Sequence, residues 1–532
     1  MNNTSYTFWK ETLSGTPDGE TLEKMNSAEI SDAFSSNISF GTGGLRGVMG
    51  LGTNRINTYT VRRVTCGLAK TILLSDKPRA VAVAYDTRHN SSTLAQEVCA
   101  TLSAFGIAVH VFDKAMPTPA LSFAVRHLGL GWGVVLTASH NPQEYNGYKV
   151  YNNQGVQVTD SMANEITKNI NTVEFFEQIP DPQPNLITII DEKTSDAYER
   201  QIISFLGGTR IRAPKDFIIV YSALHGAGAN SVPSVLEKMG FEIICTQQNP
   251  DGSFGGIKTP NPEEPIVYTQ ALAAAEQHGA KLILATDPDC DRVGVMVRTK
   301  NGFEPLTGNQ IGALLIDYLV KTRGVKPGDT VITTIVSGML GELVAKASGL
   351  GFKRLLTGFK YIGDYAEHLP TDKSFFFGYE ESYGFLAGDG ARDKDAVIAS
   401  ALIAQMAAHY TQEGLTLLDQ WIQLSQTHGY CLESLYSMNI PISNQKAIMT
   451  KLRANFSIDG MTKLEDFSTG FDDLPPADVL KLHFSDGSWA AVRPSGTEPK
   501  IKLYTGVCAD TIGKAKSKLE VLNKKLLPIL DV

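Results

Sequence analysis

Three aspartates at alternate positions, Asp287, Asp289 and Asp291, follow the apolar run KLILAT. Alternate spacing in an extended loop turns three carboxylates toward one side. Without a counter-charge they would repel one another, and a hard divalent cation is the natural compensation. An EF-hand does not account for them, because Arg292 stands where its Gly belongs and Arg298 where its bidentate Glu belongs. Three protein oxygens leave an incomplete coordination sphere, which suits Mg2+ held jointly with a phosphate oxygen and water. Cys290 lies inside the loop, but a carboxylate-rich set favours a hard cation over a soft metal.

A second loop, VVLTASHNPQEYNGYKVY, spans residues 134–151. Its first residues read as a strand, and Asn141-Pro142-Gln143-Glu144 reads as an N-cap, an N1 proline and an N3 glutamate opening a short helical turn. Asn146-Gly147 reads as the end of that turn, and Lys149 falls on a returning strand. Ser139 then sits ahead of a helix N-terminus, where N–H groups favour an anion, with His140 adjacent. Such a serine is a nucleophile or a phosphate carrier; the segment alone also reads as an ordinary strand–helix loop.

A third loop, FFFGYEESYGFLAGD, closes a strand over 374–377 and offers Glu380, Glu381 and Ser382 to sugar hydroxyls. Alone, two glutamates also read as a solvated face. A fourth, WAAVRPSGTEPKIKLY, presents Arg493, Ser495, Gly496 and Thr497, with Lys500 and Lys502 close by, as a cradle for phosphate or as a plain Pro-Gly turn. No G-x-x-x-x-G-K-[ST] occurs, FGTGGLRG has Arg46 where a third fingerprint glycine belongs, and no G-x-S-x-G surrounds Ser139. A P-loop, a dinucleotide fold and a hydrolase elbow are therefore not supported.

The elements that must carry these loops repeat one pattern: an apolar helix, a glycine stop, and a short β-rich run. It appears in TLAQEVCATLSAFG-IAVHVF, SVPSVLEKMG-FEIICT, TQALAAAEQHGA-KLILATD and GELVAKASGLG-FKRLLT. Glycine at C′ followed by a continuous apolar strand predicts parallel βαβ units. They predict α/β layers in several similar domains, with one large doubly wound sheet as the alternative. The C-terminal stretch differs: LKLHF and WAAVR form a predicted hairpin about Asp486-Gly487, followed by the strand IKLYTGV and an amphipathic helix over 511–526. Candidate linkers are 180–185, 306–308 and 426–430. The expected domains are 1–190 with the Ser139 loop, 191–305 with the aspartates, 306–427 with the glutamate loop and 428–532 with the phosphate cradle. Trp9 and Phe34, in a stretch without chemistry, read as packing residues.

The chain's 532 residues suggest about three to four domains. With 42% apolar and 20% charged residues, disorder of the bulk is excluded. A net charge of −8 without a basic run argues against nucleic acid or an anionic membrane as a partner. The 6 cysteines are scattered without a C-x-x-C pair, which fits a reducing compartment. No signal peptide or spanning run is visible, so a cytoplasmic protein is expected.

Together TASHNP, DPDCDR, GYEES and RPSGTEPK, in this order and spacing, resemble the α-D-phosphohexomutases from about Gly41 to Tyr504. FGTGGLRG, TGFK and GYEES are most similar to the bacterial α-phosphoglucomutase branch, and the GEQS- or GEMS-type loop of glucosamine- or mannose-preferring members is absent. The resemblance implies three mixed α/β domains and a smaller C-terminal α+β domain around a central cleft. It makes Ser139 the phosphoserine, and Asp287, Asp289 and Asp291, with the phosphoserine oxygen, the ligands of one Mg2+. Arg46, His140 and Lys149 surround the transferring phosphoryl group in acid–base and charge-stabilising roles, and Arg292 lies beside the metal loop. Thr357, Gly358 and Lys360 sense sugar orientation, Glu380 and Ser382 bind its hydroxyls, and Lys394 is a nearby lysine. Arg493, Ser495, Gly496, Thr497 and Lys502 take the phosphate that is not transferred. The implied activity interconverts glucose 1-phosphate and glucose 6-phosphate through glucose 1,6-bisphosphate, which also primes the enzyme, in a monomer or weak homodimer. A mannose- or pentose-phosphate mutase, a phosphosugar phosphatase and a non-catalytic binding protein are the competing readings.

Overall fold

The helix–glycine–strand units become parallel sheets wherever the sequence places them. In the computed structural model, which describes residues 4–41, 43–208, 213–454, 457–494 and 500–530, each of the four glycines closing these helices has positive φ: Gly106, Gly240, Gly279 and Gly349. Only a residue without Cβ enters that region freely. The helices before them span Ser91–Ala104, Gly228–Lys238, Thr269–His278 and Leu340–Ala347. The strands after them span Ala108–Val111, Glu242–Thr246, Leu282–Thr286 and Gly351–Leu355.

The first sheet has the order Leu45–Val48, Tyr145–Asn152, Trp132–Leu136, Ala80–Tyr85, Ala108–Val111, Ile187–Ile189. Its last four strands are parallel, and Tyr145–Asn152 runs antiparallel to both neighbours. Val81, Val83, Val134, Leu136, Tyr148 and Val150 pack from it against Val61, Leu68 and Ile72 of helix Thr58–Leu74 and Val98 and Leu102 of helix Ser91–Ala104. A second sheet places Leu282–Thr286 between parallel Ile218–Ser222 and antiparallel Val293–Thr299. In a third, Asp329–Thr334 lies parallel to both Gly351–Leu355 and Ser374–Glu380. The fourth is antiparallel, in the order Tyr430–Asn439, Lys500–Ala509, Trp489–Pro494, Leu480–Phe484, Met461–Asp466. The predicted hairpin turns at Gly487, and the last helix runs Ile512–Leu526 behind its Thr511 cap. Four sheets exclude the single doubly wound alternative.

The chain divides into two compact units. The first holds Met1–Glu304, Gly363–His368 and Gly384–Ala408; the second holds Pro305–Ile362, Leu369–Tyr383 and His409–Val532. In the first, the short helices Thr4–Thr12, Pro17–Glu23 and Ser27–Ala33 bury Trp9 edge-on against Phe34, Tyr59, Phe175 and Phe176. Trp9 and Phe34 are packing residues, as expected.

The candidate linkers carry regular structure at their edges: residues 426–428 form the last turn of helix Leu417–His428, and Thr307 is the capping-box residue of helix Gly308–Arg323. Polar residues near Pro180 lead into Ile187–Ile189, which joins the first sheet beside Ala108–Val111. Cys431 and Cys508 are not scattered: they face each other across the antiparallel strands of the fourth sheet and form a disulfide, with Cα atoms 4.1 Å apart. Their separation of 77 in sequence hides that register. Among the described residues no helix is long and apolar enough to cross a membrane.

Candidate active site

Asp287 begins where the buried strand Leu282–Thr286 ends, and the chain turns at once. Cys290 N–H closes on Asp287 O at 2.9 Å, with Cys290 at φ 52°. The turn, rather than extended alternation, brings a carboxylate oxygen of each of Asp287, Asp289 and Asp291 within 4.8 Å of the others. All are buried. Asp287 Oδ1 accepts the amides of Asp291 and Arg292, whereas Oδ1 of Asp289 and Oδ1 of Asp291 have no hydrogen-bond partner. Buried carboxylate oxygens left without donors suit a divalent cation, so this donor set can hold a metal ion. Burial pushes the Cys290 thiol well above its usual range, which keeps it neutral beside this oxygen set.

The Ser139 loop reaches the same cluster. Ser139 Oγ donates to Asp287 Oδ2 at 2.7 Å and lies 3.2 Å from His140 Nδ1. Its backbone is left-handed, φ 50°, a conformation uncommon for a residue with Cβ. The expected short helix after it is absent. Asn141 N–H bonds to Ala138 O and Tyr145 N–H to Pro142 O, giving two turns in succession. A residue before proline resists the helical region, and the carbonyls here face Arg88 rather than along a helix axis. Asn146-Gly147 lies inside the strand Tyr145–Asn152 instead of ending a turn. A Cβ on Gly147 would stand 2.5 Å from Thr137 O and 2.7 Å from Leu45 O, so glycine serves the close approach of three strands.

Positive charge around the cluster comes from two lysines and from Arg292, whose Nε lies 3.9 Å from Asp291. Lys149 Nζ lies 3.0 Å from Asp289 and 3.6 Å from Asp291; Lys394 Nζ lies 3.1 Å from Asp291. Burial works against the Lys149 ammonium, but Asp289 and Asp291 outweigh it and hold its pKa above the usual lysine value. Burial, then repulsion from Asp289 and Asp291, holds Asp287 well above the carboxylate range. Burial also works on Asp289, but Lys149 prevails and holds it below. Arg46, on strand Leu45–Val48 opposite Gly147, donates to Asn141 Oδ1 at 3.0 Å. Arg292 turns its guanidinium to Glu263 at 3.1 Å while its amide holds Asp287.

The second unit gathers its own set. Gly358, φ 124°, donates its N–H to Glu380 Oε1 at 2.9 Å, which joins the Thr357–Lys360 loop to the glutamate loop. Lys360 is buried, and Ser382 is partly exposed. Glu381 accepts from Thr334 and Ser337 and so braces its own unit. Arg493 and Lys502 are register partners on adjacent strands. Ser495, Gly496 and Thr497 lie outside the described residues.

Sequence reasoning missed Thr118, whose hydroxyl donates to Asp289 at 3.1 Å, and Glu263 and Arg88. Arg88 stands three residues after the end of the strand Ala80–Tyr85, and that position at a strand's carboxyl end is a signal that can be read.

A buried serine against a carboxylate cluster and paired cations, at the strand ends of α/β sheets, is an arrangement that can carry phosphoryl transfer. Four family domains match along the chain: the phosphoglucomutase/phosphomannomutase alpha/beta/alpha domains I, II and III over residues 37–177, 196–302 and 307–424, and the C-terminal domain over 438–518. A phosphoglucomutase of Staphylococcus epidermidis is 34% identical over 530 residues, covering 94% of this chain and 96% of its own. One from Staphylococcus haemolyticus is 36% identical over 505 residues, covering 90% and 91%. Among solved structures, the Paramecium phosphoglucomutase parafusin superposes with TM-score 0.75 at 18% identity, covering 93% of this chain and 95% of its own. At that identity the likeness is one of fold. The chain belongs to the phosphoglucomutase/phosphomannomutase family, and it is a phosphohexomutase.

Proposed function

We propose that the enzyme interconverts glucose 1-phosphate and glucose 6-phosphate through phosphorylated Ser139 and glucose 1,6-bisphosphate. The observation that carries the reading is the buried Ser139 hydroxyl, 2.7 Å from the Asp287 carboxylate within reach of His140. The curated relatives named phosphoglucomutase support glucose as the sugar.

In the proposed cycle the phosphoserine gives its phosphoryl group to the free hydroxyl of the sugar monophosphate. The Ser139 Oγ–P bond breaks, a sugar O–P bond forms, and the hydroxyl proton passes to a base. The bisphosphate turns, and Ser139 Oγ takes the other phosphoryl group while the sugar oxygen is protonated. Asp287, Asp289 and Asp291, with the phosphoserine oxygen, would hold one Mg2+, which supplies positive charge for the phosphoryl oxygens. Lys149 and Arg46 neutralise developing charge from the protein side, and His140 moves the proton. Arg292 and Lys394 complete the basic edge of the same unit. Thr357, Gly358 and Lys360 sense sugar orientation, and Glu380 and Ser382 take sugar hydroxyls. Arg493 and Lys502, with Ser495, Gly496 and Thr497, take the phosphate that stays; that binding energy holds either end of the sugar for reaction. Domain limits near 190, 305 and 427, a monomer or weak homodimer, and a cytoplasmic location, whose reducing pool would open the Cys431–Cys508 pair, complete the reading.

The test is conversion of glucose 1-phosphate with Mg2+ and trace glucose 1,6-bisphosphate, beside mannose 1-phosphate and ribose 1-phosphate, following free phosphate in each. Fast glucose turnover without phosphate release is expected. Faster mannose or ribose turnover moves the substrate, phosphate release makes the enzyme a phosphatase, and no turnover on any sugar overturns the reading.

A further inference from the structure

Arg88 is fully buried, and its guanidinium is committed to one task. Nη2 donates to Ser139 O and, at 2.6 Å, to Asn141 O; Nη1 donates to Pro142 O at 2.8 Å and Tyr145 O at 3.1 Å. Nε lies 3.2 Å from Asp86 Oδ2, the only carboxylate among these contacts. Four carbonyls of one loop thus converge on one planar cation. Peptide units are planar with C=O and N–H opposed, so a carbonyl turned into Arg88 turns the next residue's N–H the other way. For Ser139 O, that is the His140 amide. The left-handed φ of Ser139 is disfavoured for a residue with Cβ and persists only where surrounding structure over-determines it. Three groups hold Ser139: Thr137 Oγ1 accepts its N–H at 2.8 Å, Asp287 accepts its hydroxyl, and Arg88 takes its carbonyl together with three others of the loop.

Arg88 is also tied to the aspartate loop. Its guanidinium lies over the Phe254 ring, 5.0 Å from the centroid. Phe254 belongs to the turn begun by Asp251, whose amide bonds to His225 O; two residues on, Ala227 N–H bonds to Pro288 O between Asp287 and Asp289. From the other side, Asp86 Oδ1 accepts Arg88 N–H and the Ser91 hydroxyl, and Ser91 Oγ accepts from Asn146 on the strand that carries Lys149.

We propose that Arg88 is the positioning residue for Ser139: by taking up the carbonyls of residues 139, 141, 142 and 145, it holds the serine in its left-handed conformation and fixes Oγ against the aspartate loop. It touches neither phosphate nor sugar. This rests on the phosphoserine reading above, and its test separates the two.

Arg88→Lys keeps the charge beside Asp86 but offers one nitrogen where two served four carbonyls. The variant should lose about 10- to 100-fold in kcat with KM for glucose 1-phosphate changed less than about twofold. Phosphorylation of Ser139 by glucose 1,6-bisphosphate, read by intact mass, should slow in parallel. Amide exchange over residues 138–146 should quicken while the first sheet stays protected. Phe254→Leu, which leaves every hydrogen bond of Arg88, should give the same pattern at about two- to fivefold, and it carries the test if Arg88→Lys does not fold. Unchanged kcat and exchange in folded Arg88→Lys, or in Phe254→Leu if it alone folds, overturns the inference and leaves the mutase reading standing. An inactive wild type overturns the mutase reading, and the exchange data still decide the positioning claim. A rise in KM at constant kcat would make Arg88 a ligand-site residue and overturn the inference.

Discussion

The Ser139 hydroxyl has two functional neighbours within hydrogen-bond reach, Asp287 and His140, and Lys149 is bonded to Asp289 of the same carboxylate cluster. Ser139→Ala removes one oxygen and one buried hydrogen bond to Asp287, so stability should fall by no more than about 1–3 kcal/mol while mutase turnover falls at least about 10³-fold. Retained turnover in that assay would remove the phosphoserine from the mechanism. Asp395 makes a different prediction. It is buried, accepts the amides of Val397 and Ile398 and the Tyr198 hydroxyl, and burial pushes its pKa up to about 6. Its folded value lies above the unfolded one, so the folded state binds more protons between roughly pH 4 and 6. Stability therefore falls as pH rises through that window, by on the order of 3 kcal/mol. Asp395→Asn should lessen the fall by that amount in denaturant titrations between pH 4 and 6; an unchanged slope would place the titration elsewhere.

Among elements, the turn after strand Asp329–Thr334 is gripped by two strands of the fourth sheet. Lys481, on Leu480–Phe484, donates to Ile335 O at 2.7 Å; Asn309 accepts from Gly338 and donates to Glu433, on Tyr430–Asn439, at 3.1 Å. Burial pushes Glu433 up to about 7 and lowers Lys481 to about 7. Glu433 costs stability as pH climbs from about 4.5 to 7, where the folded state holds the extra proton. Lys481 returns stability from about 7 to 10.5, where the unfolded state does. The second unit should thus be least stable near neutrality, with each limb on the order of 3 to 5 kcal/mol. Glu433→Gln should flatten the acid limb and Lys481→Met the alkaline one; a monotonic profile in the wild type contradicts both. The same scale shows what was legible in the sequence. Helix–glycine–strand units, the Gly487 hairpin and the amphipathic helix ending at Leu526 are local, set by propensity and spacing over a dozen residues, and all formed as read. The Asn146-Gly147 pair carried a turn signal but sits mid-strand, because flanking strands on both sides claim its backbone. The Cys431–Cys508 pair, the convergence on Arg88 and the ion pair of Lys394 with Asp291 join residues far apart in sequence, and no local pattern encodes such registers.

For the molecule as a whole, the two units carry separable stabilising devices. The carboxylate cluster belongs to the first and the disulfide to the second. A cation bound only by the folded cluster stabilises by about 2.7 kcal/mol at a hundred times its Kd. A cross-link spanning 77 residues contributes roughly 4 kcal/mol by restricting the unfolded chain. Hydrogen exchange should accordingly show Mg2+ slowing the first unit and leaving the second alone, with a reductant loosening only the second. Equal response of both units to either treatment would contradict this separation. The chain also passes between the units repeatedly, so the first is finished only by Gly384–Ala408. Lys394, the neighbour of Asp291, is therefore made roughly a hundred residues after it. On a ribosome adding about 5–20 residues per second, the three aspartates emerge about 5–20 s before that counter-charge exists. During that interval Lys149 and Arg292 are the partners of the aspartates already made, and the set of counter-charges closes only with the last segment of the first unit.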